Sequence, residues 1–171
     1  RDSAGPCEFV LEVPASIEYH DASESEWQID GARFSSNAII HPGPTVGYRI
    51  ESKGRVLAYL TDHEPALGAA LDRVPPEWIS GFAFARGADL LIHDCQFTPD
   101  EYEHRLGWGH STTEQVARFA EKTEVDRLLL FHHDPMHSDE QLDQMREDVV
   151  ARWGVDGDRC TAAAEGAEIV V

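Results

Sequence analysis

The sequence predicts an α/β fold, and three observations carry that prediction. An alternating apolar-polar meander fills much of the first half of the chain. Two short, wholly apolar runs, DLLIH and RLLLF, follow in the second half. Each of those runs precedes a segment with a helix-start signature, giving strand-helix-strand-helix order with helices on one face of a sheet.

The elements follow in chain order. Ile17–His20 reads as a short strand, and 34–41 as a longer one that ends in the turn Pro42-Gly43-Pro44. Residues 45–51 alternate apolar with polar, as a half-buried strand does. Ser52-Lys53-Gly54 then turns the chain into the buried strand 55–61, completing a three-strand meander. Residues 64–72 predict a short helix with Pro65 in its first turn. Pro75-Pro76 breaks it, and 77–85 is a loop or a second short helix. Residues 89–93 form a buried strand, and 98–104 one or two helical turns. Ser111-Thr112-Thr113-Glu114 reads as a capping box, with Ser111 as N-cap and Glu114 reaching back, and it opens a helix to about Lys122. Val116, Phe119 and Ala120 face inward on that helix. Residues 127–131 are another buried strand. Ser138 to Gln141 is a second cap, opening a helix that stops near Gly154 and carries Leu142, Met145, Val149 and Trp153 on one stripe. Residues 169–171 close the sheet in this reading.

At 171 residues the chain fits one domain, 1–171, and can bury a core. No apolar run approaches the roughly 18 residues that cross a bilayer, so no membrane partner is expected. The chain opens without a methionine, which leaves an upstream segment or processing open. Cys7, Cys95 and Cys160 are odd in number and scattered, as reduced cytoplasmic thiols are. The net charge of −18, with 32 acidic against 14 basic residues, repels phosphate backbones and makes nucleic acid an unexpected partner. That charge does not exclude a small anionic substrate held by metal ions, whose local charge dominates a pocket. A homodimer is the one assembly kept open.

Three polar residues end apolar strands: His41 after AII, Asp62 after VLAYLT and His132 after LLLF. Strand ends that run into loops are where α/β proteins place their sites. Imidazoles around an aspartate suit zinc or manganese, and two metals about 3.5–4 Å apart need an anionic bridge between them. Taken singly, each residue is more readily an ordinary hydrogen-bonded strand end.

Together, the ordered stretches IIHPGPTVGYRI, VLAYLTDHEP, LLIHDCQF, GHSTTEQVA and LLLFHHDP resemble the second half of a metallo-β-lactamase-fold phosphodiesterase. The same stretches look like those of ribonuclease Z and its bacterial relatives. The resemblance runs from about Ser35 to Pro135 and implies the C-terminal portion of an αββα sandwich. It also implies that His41 binds one metal, His132 the other, and Asp62 bridges them. Two divalent ions follow, zinc first and manganese second. In the same resemblance His110 of the His-Ser-Thr segment acts on the scissile phosphate or leaving group, and Asp94 orients it. The family's H-x-H-x-D-H segment, which supplies four of the usual seven ligands, is absent, and Asp62 is followed by His-Glu-Pro rather than Thr-Arg-Pro. One terminal histidine per metal and a bridge fall short of the three or four protein ligands a zinc takes. The chain alone is therefore expected to be inactive.

Further candidates surround this set. His63 and Glu64 could orient the bridging aspartate or form a plain turn. His133 and Asp134 could line the pocket, although strand alternation should point His133 away from His132. Trp108, between Gly107 and Gly109, could stack on a ring of the substrate or pack. His93 reads as a core histidine, His137 as structural, and Arg49 as a strand-face ion-pair partner. The function expected is a two-metal phosphodiesterase acting on a small phosphodiester. The alternative is a degenerate, non-catalytic module of the same fold that uses the pocket for binding.

Overall fold

The computed structural model describes residues 19–171 and organises them around one seven-stranded sheet. The strands are β1 (Glu26–Ile29), β2 (Ala32–Ala38), β3 (Val46–Ser52), β4 (Arg55–Leu60), β5 (Leu90–Asp94), β6 (Arg127–Phe131) and β7 (Cys160–Ala162), and they lie side by side in sequence order. The first four pair antiparallel; β4 to β7 pair parallel. The helices are α1 (Phe82–Ala85), α2 (Pro99–Tyr102), α3 (Thr113–Thr123) and α4 (Asp139–Trp153).

The meander has four strands rather than three. Its first hairpin turns on Asp30-Gly31, whose φ angles of 49° and 80° are those a two-residue type I′ loop requires. The β3–β4 hairpin turns on Lys53-Gly54 with φ of 50° and 78°, as the sequence predicts. The strand expected at Ile17–His20 falls largely outside the described residues, and Tyr19 and His20 carry no regular structure. Cys7 also lies outside them.

The two longer helices cover one face of the sheet. Ala58, Leu60, Leu91, Leu128 and Leu130 point from the strands into a core with Val116, Phe119 and Ala120 of α3 and Met145, Val149 and Trp153 of α4. Burying Phe119 and Val116, both fully inaccessible, stabilises this packing by roughly 1.5–3 kcal/mol each. Cys95 and Cys160 are free thiols in the same layer, and burial pushes the Cys160 thiol up to about 12. On the opposite face the cross-strand neighbours Phe34, Ile50 and Leu57, and Tyr48, Tyr59 and Ile92, remain partly exposed. An aromatic row of Trp27, Tyr48, Tyr59 and the exposed Phe131 crosses it, with centroids 6.1–6.5 Å apart.

Three expectations are corrected. The N-cap of α3 is Thr112, with Gln115 completing the box. The string S-T-T-E-Q holds two overlapping capping patterns, and the core takes Ser111 for other bonds. Residues 64–72 form turns and a single 3-10 turn at Leu71–Arg73 instead of an α-helix, because Leu67 and Gly68 both hold positive φ. The closing strand is Cys160–Ala162 rather than 169–171. Arg146 of α4 grips the carbonyls of Gly157 and Cys160 and delivers the chain to the edge of β6 before residue 169 is reached. Among the described residues no helix is long and apolar enough to cross a membrane.

Candidate metal centre

Loops leaving the ends of β2, β4, β5 and β6 meet at one edge of the sheet. Parallel pairing of β4, β5 and β6 puts their carboxyl ends together, so Asp62, Asp94 and His132 emerge side by side. His132 Nε2 lies 3.2 Å from Asp62 Oδ1. Donor atoms of His41, Asp62 and His110 all fall within 4.8 Å of one another, and so do those of Asp94, His110 and His132. The His110 ring joins the two groups, at 5.4 Å from the His41 ring and stacked 5.0 Å from that of His132.

Asp62 and His132 share a backbone feature. Both lie within two residues of the end of a strand, β4 for Asp62 and β6 for His132, and both adopt positive φ, 52° and 55°. Non-glycine residues take this left-handed conformation at a cost, and such strain gathers at functional sites. It also bears on the directions that His132 and His133 take. β6 stops at Phe131, so the left-handed turn, not strand alternation, directs the His132 ring toward Asp62. His133 belongs to neither donor group and sits half-buried, where burial holds its pKa below the ordinary value.

His41 is held through Nδ1, 3.0 Å from the Thr45 hydroxyl and 3.2 Å from the Gly43 N–H. Its ring lies against Gly109, whose φ of 91° and missing side chain allow the approach. A Cβ there would stand 2.5 Å from Pro42 Cδ and 2.9 Å from His41 Cγ.

His110 and Asp94 form a coupled pair, with Nδ1 of the imidazole 2.7 Å from Asp94 Oδ2. The other carboxylate oxygen accepts the Ser111 N–H at 2.8 Å and the Gln96 N–H at 3.3 Å. Asp94 is fully buried, so its orientation is fixed by these three donors. Burial disfavours a charged His110 ring. The Asp94 hydrogen bond and the charges of Asp94, Asp62 and Glu64 outweigh that effect and hold the His110 pKa above its ordinary value. With Nδ1–H committed to Asp94, Nε2 is the nitrogen left for the site.

The remaining candidates divide. His63 and His93 are fully inaccessible and touch each other, with His63 Nδ1 3.0 Å from His93 Nε2. His93 Nδ1 lies 2.7 Å from the Asp94 carbonyl, as suits a core histidine. Burial lowers both pKa values, most strongly that of His63. Asp134 accepts the Met136 N–H in a local turn, and His137 Nε2 pairs with Glu101 at 2.8 Å. Arg49 pairs with Glu51 at 2.9 Å on its strand face. Trp108 is 58% exposed at the tip of the loop before His110. Glu64, expected to orient Asp62 or stand in a turn, instead sends its carboxylate into that loop. No local sequence signal points there, since its partners lie 38 to 45 positions away.

Comparison with known proteins sets this geometry in context. The family model described as beta-lactamase superfamily domain matches residues 20–133. Ribonuclease Z of Pseudomonas putida is 39% identical over 89 residues, covering 48% of this chain and 27% of that protein. The chain thus spans about a quarter of that relative's length. Among solved structures, the metallo-β-lactamase fold protein YhfI from Bacillus subtilis superposes with a TM-score of 0.62 at 18% identity, covering 84% of this chain and 52% of that one. Zn(2+)-bound PqqB from Methylobacterium extorquens gives 0.60 at 19% identity, covering 88% and 55%. At these identities the likeness concerns fold.

Proposed function

The chain belongs to the beta-lactamase superfamily, and on that premise we propose that it forms the part of a metal-dependent phosphodiesterase that carries His41, Asp62 and His132 as metal ligands. One observation carries the reading: the imidazoles of His41, His110 and His132 gather around Asp62, at the ends of strands far apart in sequence. This donor set of imidazole nitrogens and carboxylate oxygens fits zinc, with manganese second, and the zinc-bound state of PqqB supports the choice. When bound, two such ions lower the pKa of a water and polarise a phosphoryl group.

The chain's own residues supply the rest. Asp62 offers one carboxylate oxygen to the His132 side of the cluster, where an anion offsets cationic charge. Asp94 fixes the His110 tautomer and favours its protonated form, so His110 holds a proton at Nε2 over the site. That proton is placed for transfer to the leaving oxygen of a phosphodiester. Asp94, wholly inaccessible, keeps water from competing for Nδ1.

Two substrate classes divide the support. The charge of −18 favours a small phosphodiester such as a cyclic nucleotide. The 39% identity to a ribonuclease Z favours RNA, against the expectation that nucleic acid is an unlikely partner. The chain covers only a quarter of that relative, so charge on these 171 residues weighs less than the shared segment. Hydrolysis of bis(p-nitrophenyl) phosphate, a cyclic nucleotide and a structured RNA by the complete protein, each with zinc or manganese, separates the classes. Activity lost in His110→Ala supports the reading; activity retained in that variant removes His110 from the mechanism. A degenerate binding module predicts no turnover and far fewer than two metals per chain. The partly exposed aromatic sheet face and the short ligand set both favour a second segment as the complement of this one. On that reading the 171-residue chain alone is inactive.

A further inference from the structure

Glu64 is fully inaccessible, and its hydrogen bonds run to a loop rather than to a lysine or arginine. Its Oε1 accepts the Gly107 N–H at 3.0 Å and the Tyr102 hydroxyl; its Oε2 accepts the Gly109 N–H at 2.9 Å. One carboxylate therefore ties both ends of the Gly107-Trp108-Gly109 arch to the residue two positions after Asp62. Burying a carboxylate is costly unless its oxygens are hydrogen-bonded, and here the loop and Tyr102 at the end of α2 provide the bonds.

The next residue along the arch is His110. On its far side the Ser111 hydroxyl donates to the His63 carbonyl at 2.6 Å. The two residues that follow Asp62 thus grip the two chain neighbours of His110, Gly109 through Glu64 and Ser111 through His63. The Glu64 N–H in turn donates to the Ile40 carbonyl at 3.1 Å, one residue before His41. Gly107 and Gly109 hold φ of 81° and 91°, so the arch rests on two residues with wide backbone freedom that the Glu64 bonds restrict.

We infer that Glu64 is a positioning residue for His110, which sets the arch so that the imidazole faces Asp62 and His132. The inference deepens the reading of His110 as proton donor and rests on it for its effect on turnover. Its structural arm stands apart, because the arch can be observed without any substrate.

The test uses Glu64→Gln, which keeps size but turns an amide NH2 toward backbone N–H donors. Amide exchange at Gly107 and Gly109 is expected to quicken at least about tenfold, with α4 amides unchanged, as an exposed donor requires. Turnover of bis(p-nitrophenyl) phosphate should fall about tenfold to a hundredfold, the usual effect of losing a supporting partner, with KM and metal content held. Adding Glu64→Gln to His110→Ala should cost nothing further. Tyr102→Phe, which keeps the ring and removes one donor, should shift both readings the same way by less, and it carries the test if Glu64→Gln does not fold. Unchanged glycine exchange, or a fully additive double variant, overturns the inference. If the complete protein, this segment together with its complement, turns over no phosphodiester, the functional reading falls while the exchange result still decides the role of Glu64.

Discussion

Two glycines two positions apart allow backbone strain to be separated from ligand placement. Gly107 and Gly109 hold similar φ, 81° and 91°, in one loop. A Cβ at Gly107 meets nothing within 4 Å, whereas one at Gly109 stands 2.5 Å from Pro42 Cδ and overlaps the His41 ring. Gly107→Ala therefore carries only the left-handed backbone cost, about 1–2 kcal/mol. Gly109→Ala carries the same cost plus about 1–3 kcal/mol for forcing aside packed rings. The sum, about 2–5 kcal/mol, is set against a whole-domain stability of roughly 5–15 kcal/mol. Urea unfolding at fixed metal concentration measures both variants, and equal m-values show that the comparison holds. Because the overlap falls on His41, Gly109→Ala should also weaken zinc binding, while Gly107→Ala leaves it unchanged. Equal destabilisation of the two variants, with equal zinc affinity, would refute the seating of His41 against Gly109.

The remaining predictions concern the same edge of the sheet. Asp94→Asn removes the carboxylate charge that raises the His110 pKa, so turnover should fall roughly a hundredfold or more and its alkaline limb should move to lower pH. A pH–rate profile with an unmoved limb would exclude Asp94 as the orienter. His63 and His93 are held below the ordinary histidine value mainly by burial, so the folded chain binds fewer protons than the unfolded one. Their contribution is complete above the unfolded value of about 6.5 and is lost as pH falls below it. His110, with its raised pKa, contributes in the opposite sense. Urea midpoints should therefore decline between pH 7 and pH 5, more steeply in His110→Ala; a flat profile contradicts this. Thr112→Ala removes the α3 cap and should cost about 1 kcal/mol. Ser111→Ala leaves the cap intact but strips the buried His63 carbonyl of its donor, costing about 1–3 kcal/mol by thermal unfolding.

Much of the fold was legible because its signals are local. Residues 127–131 and the Ser138 cap can be read within a window of a few residues, and the structure places both as the sequence does. The Asp30-Gly31 hairpin was equally local and was missed; its dipeptide is a strong turn signal that the broader strand pattern obscured. Within the site, His41, Asp62 and His132 announce themselves as polar residues ending apolar runs, and the structure brings their side chains together. Their assignment as ligands remains the proposal that metal analysis tests.

What the sequence determined by itself was the order of β2 to β6, the two longer helices and the polar residues waiting at the strand ends. Only the tertiary structure decided which capping pattern α3 uses, which segment joins β6 as the last strand, and where Glu64 reaches. Ser111 cannot cap because Asp94 and His63, 17 and 48 positions upstream, claim its N–H and hydroxyl. Glu64 finds its donors 43 and 45 positions downstream. Side-chain periodicity encodes contacts a turn or two away, while bonds across such separations exist only once parallel strands have set their loops side by side.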